Sequence, residues 1–145
     1  MIKPIKKFQL NKNIVSFDRE KLNDLCRRYD LKLVILHGSY ATGRKRKKSD
    51  IDIAILGRSK MINENYLEII GKFSGLFGDN CDLAFLNNTE SMIVYQAAIK
   101  GIPLYEAEKG GFADFKTTAI STYQDAKKFR ELEKHYLRSA LRRMN

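Results

Sequence analysis

Cysteine is scarce in this 145-residue chain, which has only Cys26 and Cys81. Neither belongs to a CxxC pair or has a histidine at ligand spacing, which excludes a zinc ribbon and a disulfide framework and leaves both as small core residues. No apolar run approaches the roughly 20 residues that a membrane span needs. The first residues lack the apolar core of a signal peptide, so a cytoplasmic protein without membrane attachment is expected. There are no internal repeats, no low-complexity tract and no stretch of linker composition. One domain over residues 1–145 is therefore expected, with a core at about 15–107 and a C-terminal helical region at about 112–145. A basic patch interleaved with base-stacking aromatic residues is also missing, so nucleic acid is not an expected partner.

What the chain has in excess is positive charge, a formal +10. A nucleotide, an RNA or an acidic protein surface would each be drawn to such a field, and charge alone does not choose among them.

The informative stretch runs from Leu33 to Leu56, LVILHGSYATGRKRKKSDIDIAIL. An apolar strand at about 32–37 enters Gly38-Ser39, a basic loop follows, and a second apolar strand carries Asp50 and Asp52 on alternate residues. Successive side chains of a strand point to opposite faces, so the two carboxylates share one face while Ile51, Ile53 and Ile55 share the other. Two neighbouring carboxylates repel unless a cation lies between them, and hard oxygen ligands suit Mg²⁺. Gly38 permits backbone angles closed to other residues and close approach of a phosphate. If Ser39 opens a short helix to about Thr42, its hydroxyl and the first free N–H groups make an anion site. Arg44 to Lys48 form a basic loop, either solvated or in contact with a polyphosphate through one or two side chains such as Arg44. His37, beside the turn, reads as a packed or ribose-facing residue rather than a catalytic one.

Gly38-Ser39, ten intervening residues and then Asp50-Ile51-Asp52 resemble the GS-x10-DxD signature of the DNA polymerase β-like nucleotidyltransferases. The short chain is similar to the minimal nucleotidyltransferases (MNT) that act as antitoxins beside HEPN-domain toxins. This resemblance implies an α/β fold with a small mixed β-sheet and helices packed mainly on one side, extended here by a long C-terminal helical segment. It implies catalytic and metal-binding roles for Asp50, Asp52 and a third carboxylate on the following strand. That third residue is Asp82, in an otherwise apolar strand at about 81–86, rather than Asp79 in the turn before it. Gly38, Ser39 and Arg44 would bind the nucleotide, two Mg²⁺ ions would sit on the carboxylates, and ATP would be the donor. The implied reaction is transfer of AMP to a hydroxyl, a tyrosine of a HEPN toxin, which would silence it. The alternatives are a non-catalytic module that neutralises its partner by docking, and a nucleotidyltransferase acting on a small molecule. Thr42 departs from the family pattern, which often has arginine there.

Elsewhere, Leu22, Leu25, Cys26 and Tyr29 fall at helical spacing after a Ser16 or Asp18 cap, and residues 1–13 read as an extended arm. A helix is expected over 61–77 with Tyr66, Leu67, Ile70, Phe73, Leu76 and Phe77 on its buried stripe, and another over 90–100. Pro103 marks a short edge strand at 102–105. From Phe112 to Met144 one broad apolar face fits a single helix or two. A continuous helix of that length would overhang the domain, so its apolar face and basic flank point to a docking surface for a partner or a second copy, giving a hetero- or homo-oligomer; the alternative is a fully packed terminal helix.

Overall fold

The computed structural model describes residues 6–10, 13–38, 41 and 50–144. Two strands, β1 (Lys6–Leu10) and β2 (Asn13–Phe17), form an antiparallel pair that overlaps the extended arm expected over 1–13. Asp18 then starts α1 (Arg19–Arg28), its carboxylate accepting from the backbone N–H groups of Glu20 and Lys21 at 3.0 and 3.3 Å. That satisfies two of the amides a helix start leaves unpaired. Leu22 and Cys26, one helical turn apart, are fully buried.

The central sheet contains β3 (Leu31–His37), β4 (Ile51–Gly57), β5 (Cys81–Phe85) and β6 (Ile102–Glu106), in the order β5-β4-β3-β6. β3 pairs antiparallel with both β4 and β6, whereas β4 and β5 run parallel. The sheet is therefore mixed, as expected, and Pro103 does lie on an edge strand. A parallel pair needs a crossover, supplied here by α2 (Ser59–Glu64) and α3 (Tyr66–Phe77). These are two helices rather than one. At Asn65 the side-chain amide donates to the Met61 carbonyl at 2.9 Å, and the backbone leaves helical angles. The break changes which side of α3 faces inward: Ile69, Phe73 and Phe77 are buried, while Tyr66 and Leu67, assigned to the buried stripe from sequence, are exposed. Tyr66 instead rests on Phe85 at the sheet edge, ring centroids 5.0 Å apart.

The larger core fills one face of the sheet, where Val34, Leu36, Ile51, Ile53 and Ile55 meet α1, α2 and α3. Each such isoleucine or leucine contributes about 1.5–3 kcal/mol by leaving water. The other face carries Leu33, Ile35 and Ala54, and a smaller cluster covers it from α4 (Ser91–Lys100) and the start of α5 (Gly111–Arg143). Small residues let α4 come close. A Cβ on Gly101, at its C-terminus, would lie 2.0 Å from the Ala97 carbonyl oxygen and 2.4 Å from Ile35. Among the described residues no helix is long and apolar enough to cross a membrane. The C-terminal segment is one continuous helix of 33 residues.

Candidate active site

Strand pairing assembles the site. His37 ends β3 opposite Asp52 on β4, and Asp52 lies level with Asp82 on β5. Directly paired residues share a face of the sheet, so His37, Asp52 and Asp82 form a row across three adjacent strands. The row lies on the Ala54 face and opposite the isoleucines, as the alternation in the sequence requires. Asp50 precedes the strand by one residue and is exposed, Asp82 is exposed, and Asp52 is half-buried. The start of β4 is tied to the approach to β5 by the Ile51 N–H, which donates to the Asn80 carbonyl at 2.9 Å.

Gly38 closes against this row. Its φ of +71° is in the left-handed region, and a Cβ there would lie 2.1 Å from Asp52 Oδ2 and 2.9 Å from its Cγ. Glycine is thus required twice over, by backbone angle and by the proximity of the carboxylate. The Gly38 carbonyl accepts from the Ala41 N–H at 3.2 Å. Ser39, Thr42 and Arg44, the other expected nucleotide contacts and their family departure, lie outside the described residues.

Among the described residues the site is short of positive charge. Burial pushes the Asp52 carboxyl above its ordinary value, His37 opposes the shift, and the Asp82 and Asp50 charges add to it. Burial lowers the His37 imidazole, and the two carboxylates pull it back up. Its Nε2 is buried without a hydrogen-bond partner among the described residues. Cys81, next to the row, is pushed up to about 11, first by burial and then by Asp82 and Asp52, so it holds its proton and is no nucleophile. Among the described residues no three His, Cys, Asp or Glu side chains stand together as a ready metal cluster. Mg²⁺ does not need one: it commonly takes one or two carboxylates and completes its octahedron with water and substrate phosphate. Asp52 and Asp82, level on neighbouring strands, with Asp50 beside them, are of the chemistry that fits such an ion.

A family model described as polymerase beta, nucleotidyltransferase matches residues 20–110. The chain belongs to this nucleotidyltransferase family. The matched range starts in α1 and ends just before α5, so it contains all four strands of the central sheet and the whole row. Protein adenylyltransferase MntA of Shewanella oneidensis is 29% identical over 117 residues, covering 80% of this chain and 79% of the relative. Among solved structures, a chain of a toxin–antitoxin complex with AMP-PNP is similar with a TM-score of 0.65 at 26% identity, over 83% of this chain and 98% of that one. A chain from the complex of a tri-AMPylated Shewanella oneidensis HEPN toxin with its MNT antitoxin follows with a TM-score of 0.60 at 25% identity, over 82% and 94%.

Sequence reading placed His37 beside the turn but not level with Asp52. Its part in the row depends on the β3–β4 pairing, which the sequence of one strand does not contain.

Proposed function

We propose that this nucleotidyltransferase moves AMP from ATP onto a hydroxyl of a HEPN-domain toxin, a tyrosine, with Mg²⁺ bound, and so acts as the toxin's antitoxin. We read the chain as one domain, a core over about 15–107 that carries the helical region 112–145. The observation that carries the chemistry is the level pairing of Asp52 with Asp82 beside the Gly38 turn. The choice of donor and acceptor is supported by the likeness to MntA and to the toxin–antitoxin complexes.

Asp50, Asp52 and Asp82 would hold two Mg²⁺ ions, which would neutralise the triphosphate and lower the pKa of the attacking hydroxyl. Gly38, Ser39 and Arg44 would bind the nucleotide's phosphates. The acceptor oxygen attacks the α-phosphorus in line, and the bond from that phosphorus to the β-phosphate bridge oxygen breaks, releasing pyrophosphate. The hydroxyl proton passes to the Asp82 carboxylate. Positioning and charge stabilisation supply the rate, because no covalent enzyme intermediate is required.

The decisive experiment pairs the chain with a HEPN-domain protein, sought first in the neighbouring reading frame, and with ATP labelled on either the α- or the γ-phosphate. The expected result is α-label on a toxin tyrosine, pyrophosphate release, and loss of both in EDTA. Label from the γ-phosphate, or modification undiminished by EDTA, overturns the reading. A toxin neutralised equally well by the Asp52→Asn chain would identify a docking module instead.

A further inference from the structure

The first half of α5 packs on the body and the second half does not. Phe112 and Phe115 join the cluster on the sheet, Ala119 is buried, and Tyr123 stacks on Tyr95 of α4 with centroids 4.2 Å apart. Beyond Ala126 every described residue except Ser139 is exposed. At 1.5 Å per residue the 33-residue helix is about 50 Å long, so roughly its last half projects. The apolar spacing does not stop where packing stops. At steps of three and four from Ala126 come Phe129, Leu132 and Tyr136, and beside them Leu137, Leu141 and Met144, all between 61% and 81% exposed. Phe129, Leu132, Tyr136 and Leu137, with Glu133 among them, line a shallow hollow along this side. A contiguous apolar stripe on an exposed helix marks an interaction site, and an unsupported helical segment of this length is only marginally stable by itself.

The flanking charge selects the occupant. Between Lys127 and Arg143 there are seven cationic and two acidic side chains, a net +5. None of the seven cations forms an ion pair among the described residues. A second copy of this chain laid on the stripe would bring like charge against like charge. An amphipathic helix whose apolar ridge is bordered by Asp and Glu would meet both features at once, since complementary rim charges speed encounter and suppress wrong partners.

We propose that the projecting half of α5 is a docking arm for an acidic amphipathic helix on the protein this enzyme modifies. The identification of that protein as the modified one rests on the function proposed above; the surface chemistry does not. The probe is a fluorescent peptide of four heptads with Leu at the apolar positions and Glu at the flanks, compared with its Lys-flanked twin, each titrated with the full chain. The acidic peptide should bind at least about tenfold more tightly than the twin. Binding should weaken about tenfold in Arg138→Glu/Arg142→Glu, and likewise in Tyr136→Ala/Leu137→Ala. All four sites are exposed, and circular dichroism checks that the variants stay folded. Equal binding of the two peptides, or indifference to the substitutions, overturns the proposal. So does sedimentation of the chain as a dimer that Leu137→Ala dissociates, or tighter binding of duplex RNA than of the acidic peptide at the same residues. Mg-ATP binding is followed in the same variants and should be unchanged. Its absence from the unmodified chain would count against the transferase reading alone.

Discussion

Gly38→Ala tests the contact on which the site is built. The added methyl would stand 2.1 Å from Asp52 Oδ2, 2.9 Å from Cγ and 3.2 Å from Cβ. Those atoms belong to a side chain that can turn, so the overlap is relieved by moving the carboxylate rather than by unfolding the strand. Turning it off its preferred rotamer costs about 1 kcal/mol. The backbone angle of +71° adds about 1–2 kcal/mol for any residue with a Cβ. The total is about 2–3 kcal/mol, or roughly 6–12 °C in Tm for a chain of this size. Activity should fall further than stability, since misplacing a reacting group by about 1 Å costs on the order of a hundredfold in rate. Thermal melts of Gly38→Ala, Asp52→Ala and the double variant separate the two parts. With Asp52 truncated the overlap mostly disappears, so the double variant should be about 1 kcal/mol more stable than the sum of the single effects. Strict additivity, or a Gly38→Ala protein with unaltered melting and turnover, would refute the contact.

Two further outcomes follow from the carboxylates. Because burial, with Asp82 and Asp50 beside it, holds Asp52 above the usual carboxylate range against the pull of His37, the folded chain keeps that proton more readily than the unfolded one and loses stability as pH rises through that range. Asp52→Asn should therefore melt higher than the parent at pH 7, should show no gain well below pH 4 where both states are protonated, and should not transfer AMP; a variant less stable than the parent at pH 7 would contradict the charge argument. Asp82→Ala, on an exposed edge-strand side chain, should leave melting within about 0.5 kcal/mol and reduce turnover more than Mg-ATP affinity, a difference that calorimetric titration beside steady-state rates would expose and that equal losses would disprove.

Much of the site was legible because period-two alternation is a local property. Asp50 and Asp52 against Ile51, Ile53 and Ile55 needs no tertiary information, and the strand that results puts the isoleucines in the larger core. Gly38 could be read as a turn, but not as the residue pressed against Asp52, since that contact depends on a strand partner. The same holds for the level of Asp82. Its strand was visible, yet the parallel pairing that sets it beside Asp52 depends on the crossover over residues 58–80. Local chemistry also misled. The apolar run 61–77 reads as one helix until the Asn65 side chain competes for the Met61 carbonyl, and the resulting change of face exposes Tyr66 and Leu67. The hairpin at 6–17 was missed because lysines and polar residues interrupt its alternation. Only pairing such as Phe8 with Val15 reveals it.

The two ends of the molecule have different mechanical characters, and each suits its work. His37, Asp52 and Asp82 stand on three hydrogen-bonded strands backed by the fully buried side chains of Ile53, Ile55 and Phe73. Asn87 clamps the far end of β4, donating to the Gly57 carbonyl at 2.5 Å and accepting from its N–H at 3.2 Å. Groups that must hold charge at fixed positions through a reaction gain from such backing, because any looseness reappears as lost rate. The distal half of α5 has almost no backing among the described residues. A surface that has only to find a partner can tolerate that, since the partner supplies the missing packing when it docks.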